Sequence, residues 1–88
     1  MDVEEKLELL GYKCKYEKTI DLEFNQSLYY KTSGNYNLYI MMRSGKIFDA
    51  SVCYWQEVKE QEQIDNLQIA YNILKSDLKE LGYETNDR

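Results

Sequence analysis

The chain has 88 residues, 43% of them apolar, enough for one domain (1–88) around one small core. Eleven Lys and Arg against sixteen Asp and Glu give a formal charge of −5, a sign that opposes attraction to phosphates, so direct nucleic-acid binding is not expected. Histidine is absent and there are only two cysteines, which removes the commonest general base near neutral pH and any complete one-chain zinc site.

The start, Met1-Asp2-Val3-Glu4-Glu5, lacks the basic and apolar regions of a signal peptide. The longest apolar run, Leu38-Tyr39-Ile40-Met41-Met42, is strand length, far below the ~20 residues of a membrane span. The expectation is a cytoplasmic protein with no membrane contact and with Cys14 and Cys53 reduced.

Asp2 is placed to cap a short first helix, with Glu5 at capping-box spacing. Val3, Leu7 and Leu10 share one face of that helix, and Gly11 and Tyr12 follow as a left-handed cap. From Tyr12 to Trp55 the apolar period falls to two. Tyr12, Cys14 and Tyr16 alternate with lysines; Ile20, Leu22 and Phe24 alternate with acids; Leu28-Tyr29-Tyr30 precedes a turn at Ser33-Gly34-Asn35. Strands over Tyr36-to-Met42 and Ile47-to-Trp55 then form a hairpin.

A two-residue turn at Ser44-Gly45 pairs Ile40 with Asp49 and sets a charge beside the core row. A three-residue loop, Arg43-Ser44-Gly45, pairs Ile40 with Phe48 and Leu38 with Ala50, and is the preferred register. The core face then comprises Tyr36, Leu38, Ile40, Met42, Phe48, Ala50, Val52 and Tyr54. A long helix, about 57–81, follows with a stripe of Ile64, Leu67, Tyr71, Leu74, Leu78 and Leu81. It ends at Leu81-Gly82-Tyr83, a second cap like the one at Leu10-Gly11-Tyr12, and residues 84–88 form a frayed tail. The fold class is α+β: short N-terminal helix, antiparallel sheet of three to four strands, and long C-terminal helix on one sheet face.

No arrangement of nucleophile and base is present, so no enzyme, catalytic residue, cofactor or metal is expected. Nine tyrosines carry the stronger signal, because tyrosine supplies contact area at low entropic cost. In the preferred register Tyr39, Met41, Ile47, Asp49 and Trp55 share the face opposite the core and are the candidate protein-binding residues; the alternative is that the first helix or the Tyr12–Phe24 segment folds back over that face. Glu57, Glu60, Glu62 and Asp65 form an alternative acidic surface, read otherwise as complementing the helix dipole. Val58, Ile69 and Ile73 lie opposite the Leu stripe and offer a second interface for self-association.

The opening Glu5-Lys6-Leu7-Glu8-Leu9-Leu10-Gly11-Tyr12, the Tyr-rich strands and the closing Leu78-Lys79-Glu80-Leu81-Gly82-Tyr83 resemble small phage and prophage open reading frames of low-GC Gram-positive bacteria. That resemblance implies an accessory protein that acts through protein–protein contact. It also admits an acidic, anti-CRISPR-like inhibitor that imitates nucleic acid, and an antitoxin or immunity protein.

Overall fold

A computed structural model describes residues 2–21, 24–54 and 60–83, with the side chains of 18–21, 24, 54 and 60–65 outside the description. The elements are α1 (Val3–Leu9), β1 (Lys13–Asp21), β2 (Phe24–Ser33), β3 (Tyr36–Arg43), β4 (Lys46–Tyr54) and α2 (Glu60–Glu80). The strands form one antiparallel sheet in the order β1-β2-β3-β4. Leu7 of α1 and Ala70, Leu74, Leu78 and Leu81 on or just after α2 join Tyr29, Tyr36, Leu38, Ile40 and Met42 in a single core. Both helices therefore cover the same face, and the α+β reading holds.

The two helix ends follow from their glycines. Gly11 sits at φ 96° and Gly82 at φ 82°. At the first, Tyr12 N–H reaches Leu7 O at 2.9 Å and Gly11 N–H reaches Glu8 O at 3.0 Å. At the second, Tyr83 N–H reaches Leu78 O and Gly82 N–H reaches Lys79 O at 2.9 and 3.0 Å. These are paired Schellman closures. The similarity stops at the cap: Tyr12 is buried in the core, whereas Tyr83 is 38% exposed. At the other end of α1, Glu5 N–H donates to the Asp2 carboxylate at 2.8 Å.

The β3–β4 register differs from the expected one. Arg43 pairs with Lys46 across a two-residue turn, with Ser44 at φ 50° and Gly45 at φ 77°, the left-handed pair of a type I′ hairpin. Met42 pairs with Ile47, yet Met41 pairs with Asp49 and Ile40 with Ala50, so Phe48 is an extra residue in a β-bulge. The bulge resolves the conflict that favoured the longer loop: the tight turn is kept and Asp49 still leaves the core row. Two assignments change as a result. Ile47, expected outside, packs against the core, and Phe48, expected inside, is 52% exposed. Tyr36, Leu38, Ile40 and Met42 are buried, and Ala50 and Val52 pack against them.

A second irregularity lies between Cys14 and Tyr16, where β1 pairs Cys14 with Tyr29 and Tyr16 with Leu28. Tyr16 consequently leaves the row of Cys14. The Ile20-to-Phe24 alternation is not one strand either: β1 ends at Asp21 and β2 begins at Phe24. The turn between β2 and β3 is the two-residue Gly34-Asn35, with Ser33 opposite Tyr36.

Helix α2 is rotated from the expected stripe. Leu67 and Tyr71 are 44% and 46% exposed, while Ala70 and Asp77 are buried beside Leu74, Leu78 and Leu81. The small Ala70 lets the helix approach the sheet, and Asp77 turns inward because it has partners there. The Tyr12 hydroxyl donates to Asp77 Oδ2 at 2.9 Å, and Lys31 Nζ donates to the same oxygen at 2.5 Å. Lys31 also donates to Leu10 O at 2.9 Å and lies 4.7 Å from the centroid of the Tyr12 ring. The loop after α1, strand β2 and helix α2 meet in this clasp. Burial, then the hydrogen bond to and the charge of Asp77, pushes the Tyr12 phenol far above its ordinary pKa.

Candidate binding face

Pairing places the outer residues of the sheet in transverse rows, about 7 Å apart along the strands. Lys13, Tyr30, Tyr39 and Ser51 form one row. Tyr16, Leu28, Met41 and Asp49 form the next, and Gln26, Arg43 and Lys46 a third. Thr32, Asn37 and Cys53 close the other end. The alternation that buries Leu38 and Ile40 leaves Asn37, Tyr39 and Met41 half-exposed on this side. Among the described residues, both helices pack against the opposite face.

Side chains on the face hold one another in place. Thr32 Oγ1 donates to Asn37 Oδ1 at 2.9 Å, and Asn37 Nδ2 donates to the Tyr39 hydroxyl at 3.2 Å. Gln26 donates to the Tyr16 hydroxyl at 3.3 Å and accepts from Arg43 Nε at 3.2 Å. The Arg43 guanidinium lies 3.5 Å from the centroid of the Phe48 ring. Lys15 Nζ reaches to 5.4 Å from the centroid of the Tyr39 ring, two strands away, so its stem lies across the face. A hollow of about 250 Å³, lined by Gly11, Lys13, Tyr30, Lys31 and Thr32, opens at one margin.

Charge is unevenly distributed along the sequence. Residues 12–54 carry six Lys or Arg and four Asp or Glu; the remainder carries five and twelve. Residues 12–54 are thus net +2 and the remainder of the sequence net −7. Lys13, Lys15 and Lys46 are exposed, and among the described residues no carboxylate pairs with them. On the helix side, burial and then the fields of Glu4, Cys14, Glu17 and Glu8 push Tyr29 up to about 12. The Cys14 thiol is pushed up by burial and by Glu17 and Glu4.

Of the residues proposed from sequence, Tyr39, Met41 and Asp49 lie together on this face, and Ile47 lies on the other. Trp55, Glu57 and Val58 fall outside the described residues, as does the tail 84–88. Glu60, Glu62 and Asp65 belong to α2, with side chains outside the description. Ile69 is 54% exposed, but Ile73 packs against the core, so the two do not form one outer stripe. Sequence reasoning missed Lys13, Lys15, Tyr16, Leu28, Tyr30, Arg43 and Lys46. The Lys13/Lys15 alternation was a usable signal, but the bulge after Cys14 decides which aromatic joins it.

Among the described residues no group of three His, Cys, Asp or Glu could hold a metal ion. Among them, too, no helix is long and apolar enough to cross a membrane. No family model matches the chain, and no curated protein and no solved structure matches it.

Proposed function

We propose that the chain is a non-enzymatic accessory protein of a phage or mobile element, working inside the bacterial host cell by docking a partner on the outer sheet face. One observation carries this reading: both helices occupy one side of the sheet, and among the described residues the other side presents an exposed Tyr16 and partly exposed Leu28, Tyr30, Tyr39 and Met41. A face of aromatic, Met and Arg side chains has the composition of an interface centre. The test is affinity capture from a bacterial extract with the native chain and with a Tyr39→Ala, Met41→Ser variant. The native chain retains a partner and the variant, with an unchanged circular dichroism spectrum, does not. Equal capture by both would remove the face from the mechanism.

A second reading has its own support in the acidic helical side, where Glu4, Glu8 and Glu17 gather near Tyr29. An inhibitor presenting that side to a basic target, in place of nucleic acid, keeps its capture in the Tyr39→Ala, Met41→Ser variant and loses it in moderate salt. An immunity or antitoxin role differs from both in requiring a cognate toxin gene nearby.

A further inference from the structure

We propose that the ligand of the outer sheet face is a single-stranded nucleic acid, bound by its phosphates to Lys13, Lys15, Arg43 and Lys46 and by its bases to Tyr30 and Tyr39. This rests on the reading that the outer face is the binding surface, and it names the chemistry of what is bound there.

Charge comes first. The net −5 of the chain is a sum over the whole sequence, and a ligand on the outer face meets the charges of Lys13, Lys15, Arg43, Lys46 and Asp49 first. Four cations sit on or around three transverse rows of the outer face; Asp49 lies among them, and Asp21, paired with Phe24, follows beyond the Gln26 row. Such a surface attracts an anion despite the sign of the whole, because charges beyond about 8–10 Å are largely screened at physiological salt.

Spacing comes second. Tyr30 and Tyr39 are directly paired on neighbouring strands, with Lys13 paired to Tyr30 and the Lys15 ammonium 5.4 Å from the Tyr39 ring centroid. Tyr16 lies one row away, 40% exposed, and Phe48 contributes a fourth ring under the Arg43 guanidinium. Rings interleaved with cations on an open sheet suit unpaired bases joined by phosphates, since any base has a face to stack and the strand bends to follow the charges. A duplex hides its base faces and would use the cations only. An acidic protein would also use the cations, but it has no systematic need of stacked rings.

The experiment is fluorescence anisotropy of a labelled 15-residue oligothymidylate titrated with the full chain in 50 mM salt. A dissociation constant of roughly 1–100 µM is expected, the range of sequence-independent binding. Three or four phosphate contacts give a log–log salt slope of about −2 to −3, so 200 mM salt weakens binding roughly 20- to 50-fold. Tyr39→Leu should weaken it by about 5-fold or more through lost stacking. A Lys15→Glu, Lys46→Glu variant should abolish it, both side chains being exposed and free of a structural role in the core.

Absence of binding at 100 µM protein in 50 mM salt overturns the proposal. So does equal affinity for inorganic polyphosphate, or for a blunt duplex of the same length, together with indifference to Tyr39→Leu; that result leaves a generic polyanion site. If the oligonucleotide is ignored while the Lys15→Glu, Lys46→Glu variant loses a captured protein, the ligand is an acidic protein. The nucleic-acid inference then fails and the binding face survives.

Discussion

Truncating Asp77 to alanine tests the clasp that joins the two helices to the sheet. Asp77 Oδ2 accepts from Tyr12 at 2.9 Å and from Lys31 at 2.5 Å, and the residue is 7% exposed. Stranding a fully buried charge costs about 3–5 kcal/mol. Lys31 is not stranded so completely: its side chain is 19% exposed, and it keeps the bond to Leu10 O and its place over the Tyr12 ring. The loss therefore comes from one charge-assisted bond and one orphaned hydroxyl, together about 3 kcal/mol. Alanine returns up to about 0.7 kcal/mol of helix propensity, so the net loss is about 2–3 kcal/mol.

A domain of this size has roughly 5–10 kcal/mol in hand, so the variant still folds. Tyr12→Phe removes a single bond and should cost about 1–2 kcal/mol. With a urea slope of about 1 kcal/mol per molar, the midpoints fall by about 2–3 M and 1–2 M respectively. Because both substitutions break the same bond, the double variant should lose about 1 kcal/mol less than the sum of the singles. Urea melts followed by circular dichroism make the measurement. A loss below about 0.5 kcal/mol for Asp77→Ala would put the pair in the class of exposed ion pairs and refute the reasoning.

Alkaline pH should unfold the chain early. Tyr12 and Tyr29 both have raised pKa values in the folded state, so stability is intact below about 10, where unfolded tyrosine begins to ionise. It falls as pH rises from 10 through about 12, because the unfolded chain then binds fewer protons; a constant urea midpoint between pH 9 and 11.5 contradicts this. The bulge makes an opposite ranking of two large side chains: Ile40→Ala should cost about 2–5 kcal/mol and Phe48→Ser under about 1.5. Equal losses would restore the three-residue loop register.

Where local geometry fixes the outcome, the sequence was enough. Gly11 and Gly82 announce left-handed caps because few residues other than glycine take that conformation without strain, and both are there. The alternation from Tyr36 to Met42 buries the expected row, since β3 lies between two strands and pairs with β2 without interruption. Where two local rules conflict, the sequence does not reveal the compromise. A tight turn and an excluded Asp49 looked incompatible until Phe48 was lifted out of the ladder. The rotation of α2 was hidden for another reason. Periodicity counts Asp77 as a solvent position, and nothing local indicates that Tyr12 and Lys31, 65 and 46 residues away, turn it inward. The candidate face was legible in Tyr39, Met41 and Asp49, but its cations were lost in a net charge summed over both sides of the sheet.

The sheet's irregularities are confined to its margins. Pairing between β2 and β3 is unbroken, while the pairings of β1 and of β4 are each shifted by bulges. Bulged margins bend and twist the rows of backbone donors and acceptors that a further strand would need. Lys13 and Lys46 add like charges along the same margins, which repel a second copy arriving edge to edge. The result is a surface that admits a visitor from above and discourages lateral growth, so the open side can stay uncovered without seeding a fibre.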